Sequence, residues 1–323
     1  NLGVTYYKTG NLRNAESTLF DSIKVMESLR GELKDNNKIT IFDTQRNTYR
    51  LLQQVLIAQN KTDTALLIAE RGRARAFVEL LANKLSDNPK EQLSTPPNID
   101  KIKQIASAQN ATLVQYSIIT DDFKVEGKLQ VKESELYIWV IKSTGEVTFR
   151  KSDLKPLWQK DNTTLSKLVS TTRESLDVRD DERNIITMEI VNPGNEKVQQ
   201  TNLQKLHQLL IKPIADLLPT DPNQRVIFVP QHYLFLVPFP ALIDEQGKYL
   251  IEKHTITTAP AIQVLELTRQ QKQRIGGDSS SPQNAVVVGN PIMPQYSVKY
   301  GEPPKQLKPL PGSEREAKAI APL

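Results

Sequence analysis

Residues 225–242, RVIFVPQHYLFLVPFPAL, constrain the fold more than any other stretch of the chain. Two short apolar runs, 226–229 and 233–237, flank Pro230-Gln231-His232. Runs this short, rich in Val, Phe and Leu and bounded by proline, predict buried strands rather than helices. Pro238 and Pro240 oppose a helix directly after the second run, because each lacks a backbone donor and clashes with the preceding turn. A strand beside Pro238 must end there or lie at an edge. This stretch is the expected centre of an α/β core.

The 323 residues leave room for two or three domains, and 24% charged residues fit a globular rather than a disordered chain. No apolar run approaches the ~20 residues of a membrane span. The start, NLGVTYYKTG, lacks the basic and apolar regions of a signal peptide, so nothing marks secretion and a cytoplasmic location is expected. The net charge of +5 is modest, and nucleic-acid binding would require it to gather on one face. The chain has no cysteine, which excludes disulfides, thiolate metal sites and cysteine nucleophiles within it. His207, His232 and His254 lie far apart with no metal-ligand spacing. Neither a metal nor a cofactor is expected.

Residues 1–35 predict helices with a break at Thr9-Gly10-Asn11. Leu2, Gly3, Tyr6, Gly10, Ala15, Leu19 and Ser22 fall at the spacings of a tetratricopeptide repeat, whose small residues let two antiparallel helices approach. The stretch resembles such a repeat entered partway through its first helix; an ordinary helical hairpin is the alternative. In that pattern Asn1, Val4, Tyr7 and Lys8 are the candidates for a peptide-binding groove. A second hairpin follows, with Tyr49, Leu52, Val55 and Leu56 on one helix face, then Thr62 as an expected cap. The next helix would bury Ala65, Leu66, Ala69, Ala76, Phe77 and Leu80. Ala65 follows Ala15 by 50 residues, against a standard period of about 34, and two hairpins are fewer than a stable array needs. Both ends of the chain read as cut through structural units.

Arg71, Arg73 and Arg75 form the conspicuous basic cluster, read as a solvated or interdomain face paired with acids such as Glu70 and Glu79. Nothing aromatic is interleaved, so the cluster does not predict nucleic-acid contact.

Residues 86–98, SDNPKEQLSTPPN, have the composition of a linker. Beyond it, 112–119, 135–141 and 146–150 predict strands, the last two joined at Ser143-Thr144-Gly145. Helix is expected over 154–176 with an interruption near Asp161-Asn162, and a long surface loop over 177–200. Helix is expected again over 203–218 with a break at Pro213, then a strand within 249–258 and an amphipathic helix over 261–274. A connector from Gly276 precedes a predicted strand at 285–288, where Gly289-Asn290-Pro291 turns the chain. Ser313 and Glu316 have the spacing of a capping box after the proline-rich loop 303–311.

None of the remaining patterns carries chemistry. His232 reads as a surface turn residue and His254 as a packed or edge histidine; no Gly-x-Ser-x-Gly elbow accompanies either. Gly289-Asn290-Pro291 lacks the glycines and lysine of a phosphate loop. Asp121, Asp122 and Glu126 fall on an expected loop without a second acidic cluster.

Three stretches resemble the CHAT domain, a caspase-related module fused to tetratricopeptide repeats: residues 225–242; YLIEKHTITTAPAIQVLELT from Tyr249; and AVVVGNPIMP from Ala285 with LPGSEREAKAI from Leu310. The segment 49–82 resembles the repeat region that precedes this domain in cyanobacterial-type proteins. The resemblance implies helical hairpins followed by an incomplete caspase-like α/β domain, an α + α/β chain. It divides the chain into hairpins over 1–85, a linker over 86–98, a degenerate caspase-like half over 99–275, and the start of the active half over 276–323. In the family a histidine and a cysteine carry out peptide cleavage, and both would come after the helix that begins here near Ser313. No catalytic residue is therefore carried over, and the chain itself is expected to be inactive. The implied partner is a protein or peptide held by the repeat helices; neither membrane nor nucleic acid is an expected partner. A non-enzymatic interaction module and a nucleic-acid-associated subunit are the alternatives.

Overall fold

The computed structural model describes residues 2–31, 35–73, 98–125, 127–176, 193–276, 287–292, 295–296, 305–306 and 309–321. It separates into two units, Asn1–Gln271 and Lys272–Leu323. The first begins with α1 (Leu2–Lys8), α2 (Leu12–Gly31), α3 (Asp35–Ala58) and α4 (Thr62–Arg71). Gly3 sits where a Cβ would fall 2.8 Å from the Leu19 side chain, so its lack of a side chain is what lets α1 and α2 close. Ala15 and Leu19 on α2 are buried with Leu52, Val55 and Leu56 of α3 and Ala65, Leu66 and Ala69 of α4, at the helical spacings the sequence carries. Ala76, Phe77 and Leu80 lie outside the described residues, as does the proposed linker apart from Asn98. Thr62 is not a cap: α4 starts at Thr62 itself, Lys61 stands at the N-cap position, and no side chain closes it.

Asn98 caps α5 (Ile99–Gln109) by accepting from Lys101 N, and Asn110 ends it in the left-handed conformation. The chain then enters β1 (Ala111–Val125), β2 (Lys128–Ile141) and β3 (Val147–Asp153), an antiparallel meander whose second turn closes at Gly145 with φ of +89°. α6 (Lys155–Gln159), α7 (Leu165–Ser175) and α8 (Pro193–Leu210) follow, then a 3₁₀ segment Lys212–Leu217, then β4 (Arg225–Val229) and β5 (Thr255–Thr258). Among the described residues these five strands form one sheet in the order β3-β2-β1-β4-β5, with β1, β4 and β5 mutually parallel. α9 (Ile262–Gly276) begins in the first unit and runs across its boundary at Gln271.

Alternation along the strands gives the sheet two apolar faces. Val114, Tyr116, Ile138, Val140, Val226 and Phe228 pack under α6–α8 and the 3₁₀ segments. Leu113, Trp139, Ile141, Ile227 and Val229 form one buried cluster with α2–α5 and Ile262 of α9. The helical hairpins and the sheet thus share a core, and Trp139 Nε1 donates to Thr62 O at 3.0 Å across it.

Several elements depart from the pattern. Residues 233–237 are not a strand: His232–Leu236 is a 3₁₀ turn, followed by a second at Phe239–Ala241. The burial explains it, because Leu234 and Val237 are buried while Phe235 and Leu236 are about half exposed, a period of three rather than two. Only Thr255–Thr258 of 249–258 is strand; Leu250–Glu252 is 3₁₀. The expected loop 177–200 gives way to helix from Pro193, a residue that suits a first helical turn, and 177–192 lie outside the described residues. Asp121 and Asp122 belong to β1 rather than a loop, because β1 and β2 run on past the main sheet as a two-stranded ribbon; Glu126 lies outside the described residues.

In the second unit β6 (Gln295–Tyr296) pairs antiparallel with β7 (Lys305–Gln306), and α10 spans Pro311–Ile320. No strand is assigned at Val287 and Val288, while 285–286 lie outside the described residues. Ser313 does not form a capping box. The helix begins two residues earlier at Pro311, and the Ser313 hydroxyl instead donates to Leu310 O and accepts from Asn290 N.

Candidate functional site

The parallel pair β1–β4 runs in register from Ala111 opposite Arg225 to Gln115 opposite Val229. Beyond it the strands part, since β1 continues while β4 breaks at Pro230. The crevice at the carboxyl end of such a strand pair, where strand order reverses, is where open α/β sheets place ligands. Here it holds a side chain of the same chain. The Arg73 guanidinium, just past α4, donates through Nη2 to Tyr116 O and through Nη1 to Pro230 O. It is 5% exposed, so of the solvated or interdomain face paired with Glu70 the solvated reading does not hold at this position, while the charge pairing with Glu70 does. Arg71 is also engaged, on Glu27 of α2 through Nε at 2.7 Å; Arg75 lies outside the described residues.

The partner charge is Glu70, 1% exposed on α4. Its Oε1 accepts from Gln263 N at 2.9 Å at the start of α9. The Gln115 amide, oriented to satisfy both its ends, donates to Glu70 Oε2 at 3.2 Å and accepts from Glu70 N at 3.3 Å. Burial raises the Glu70 pKa, opposed by Arg73 and by the backbone N–H groups of Gln263 and Ile262. Burial lowers the Arg73 pKa to about 10, opposed by Glu70. Arg73 Nε and Ser117 Oγ, both buried, have no hydrogen-bond partner among the described residues.

His232 lies on the loop below this crevice, exposed and with φ of +51°. Its ring meets Tyr233 edge-on at 5.3 Å. Gln231 Oε1 accepts from Ile118 N at 2.7 Å, fixing the loop to β1. The Gln231 contact holds the loop backbone in place beside β1.

A cleft of about 540 Å³ lies near the amino ends of β4 and β5, lined in part by His207, Ile211, Leu250, Lys253 and His254. His207 and His254 are each 8% exposed. Burial lowers both pKa values, so both imidazoles are held toward the neutral form, and His254 Nδ1 is buried without a partner among the described residues. Asp244, opposite, accepts from Gln246 N and Lys248 N and pairs with Lys253. Sequence spacing missed this pairing of histidines because the 3₁₀ turns between them fold the chain back irregularly. Among the described residues no three His, Asp or Glu side chains gather as a metal site.

The groove candidates fall as follows. Val4 and Tyr7 are partly exposed on α1, Lys8 bonds Asp122 of β1 at 3.2 Å, and Asn1 lies outside the described residues. Burial, with Asp121 and Glu135, raises the Tyr7 pKa.

A family model for the CHAT domain matches residues 200–323. The whole chain is similar to tetratricopeptide repeat protein 28 of Homo sapiens and of Mus musculus, at 24% identity in each case. The chain spans 16% of the length of either relative. No solved structure matches, and no helix among the described residues is long and apolar enough to cross a membrane. The chain is thus similar to a CHAT domain over residues 200–323 and, along its whole length, to a tetratricopeptide repeat protein.

Proposed function

We propose that this chain is the regulatory and scaffold portion of a caspase-like cysteine peptidase of the TPR–CHAT type. The helices α1–α4 bind a protein or peptide partner, with Asn1, Val4, Tyr7 and Lys8 at the groove, and the five-stranded half supports a catalytic half that carries the histidine and cysteine. The observation that carries this reading is the single buried cluster joining α2–α4 to the sheet. A partner held by those helices rests on the same core as the caspase-like half. The chain itself has no cysteine, so it binds without cutting.

The test is the intact mass of the protein from its native cell, with peptides mapped past Leu323. A larger mass with a His-Gly pair and then a cysteine is the expected result. A mass near 36.5 kDa overturns the peptidase reading. It would leave the second one, a non-enzymatic interaction module, which the absence of cysteine favours. The purified chain is expected to hydrolyse no peptide amide in a substrate panel; iodoacetamide-sensitive cleavage by it would count against both.

A further inference from the structure

The last registered pair of β1 and β4 is Gln115 opposite Val229, and the next residues along the two chains are Tyr116 and Pro230. The two carbonyls bridged by Arg73 are therefore the first pair left over where β1 and β4 separate. Glu70, three residues earlier, accepts at the opposite side from the first turn of α9, 193 residues away in sequence. Arg73 and Glu70 thus reach backbone groups of three elements, just past β4, within β1 and at the start of α9, and Glu70 also meets the Gln115 amide. A planar guanidinium fork reads two carbonyls at once in a way that lysine or an apolar side chain does not. Replacing a buried pair by apolar side chains is often neutral or stabilising, so stability alone is a weak reason for it. Among the described residues Arg73 Nε has no partner, which leaves the pair incompletely satisfied by them.

We infer that Glu70 and Arg73 form a coupling device, which ties the position of α4 to the loop 230–237 and to the first turn of α9. A displacement of α4 then opens the β1–β4 crevice and the start of α9 together. This inference concerns the free chain and stands whether or not a partner binds α1–α4.

The test is amide hydrogen exchange on the full chain, comparing wild type with Arg73→Met, Arg73→Lys and Glu70→Gln. The discriminating readout is at segments the altered residue does not itself bond. Arg73→Met is expected to speed exchange about ten-fold or more at Ile262 and Gln263, and Glu70→Gln likewise at Ile118 and 231–237, while β2 and β3 change little. Arg73→Lys is expected to fall between wild type and Arg73→Met. Changes confined to each residue's own bonded partners overturn the inference, as does equal acceleration throughout the sheet. Should Arg73→Met fail to fold, Glu70→Gln and Arg73→Lys decide by the same criteria.

Discussion

Single side chains carry the sharpest expectations. Gly289 is placed so that a Cβ would fall 2.3 Å from Ser313 O and 2.5 Å from Ala317 Cβ, both on α10. A backbone oxygen cannot swing aside as a side chain does. Gly289→Ala is expected to release α10 from the turn at 289–290, costing that packing about 1–3 kcal/mol. Gly3→Ala meets the flexible end of Leu19 instead and is expected to cost less; chemical denaturation of both variants gives the order. The two cleft histidines give a pH dependence. Their folded pKa values lie below the ordinary 6.5. The unfolded chain therefore takes up protons first, and the stability they contribute is present above pH 6.5 and lost as pH falls toward the folded values. Melting temperature is expected to drop as pH falls below about 6.5, and less so in a His207→Gln/His254→Gln variant. A flat profile in wild type would show that the cleft does not hold these rings neutral.

Contacts between elements decide how much of the chain was readable beforehand. Helix and strand periodicities of α2–α4, β1–β3 and β4 follow from apolar spacing because burial on one side dictates it. The run 233–237 has the composition of a strand and folds as a 3₁₀ turn. Its two buried side chains serve one face only, and among the described residues no strand pairs with its backbone. Arg73 illustrates the other limit. From sequence it stands in a basic cluster, and nothing local reveals that its partners are carbonyls 43 and 157 residues away. The candidate site was invisible for that reason, whereas the hairpin that delivers it was plain. Between α5 and α9, Glu266 is bonded by Lys101 and Arg269. Burial would raise the Glu266 pKa, but bonds from Arg269, Lys101 and Gln270 bring it to about 2. Its contribution is therefore present above the ordinary carboxylate pKa of 4.5 and lost as pH falls toward 2. Glu266→Gln is expected to flatten acid unfolding in that window, as followed by circular dichroism.

For the first unit as a whole, the shared cluster predicts that hairpins and sheet unfold together. Removing residues 1–73 would uncover Trp139, Ile227 and Val229, all essentially inaccessible in the intact chain. A chain of residues 98–323 is expected to aggregate or to bind a hydrophobic dye strongly. A soluble, cooperatively folding truncation would show that the hairpins are dispensable to the sheet.

The 193 residues between Glu70 and its bond on α9 also set a clock. A ribosome adding about 5–20 residues per second needs roughly 10–40 s to deliver the second partner after the first. During that interval α4 is already synthesised, with an acid and a base destined for burial whose partners arrive one by one, at residues 115–116, 230 and 263. The hairpins can form early, yet they cannot settle until the sheet arrives. A nascent chain stalled before residue 230 should therefore be held by chaperones or cut by proteases far more readily than one stalled after residue 276.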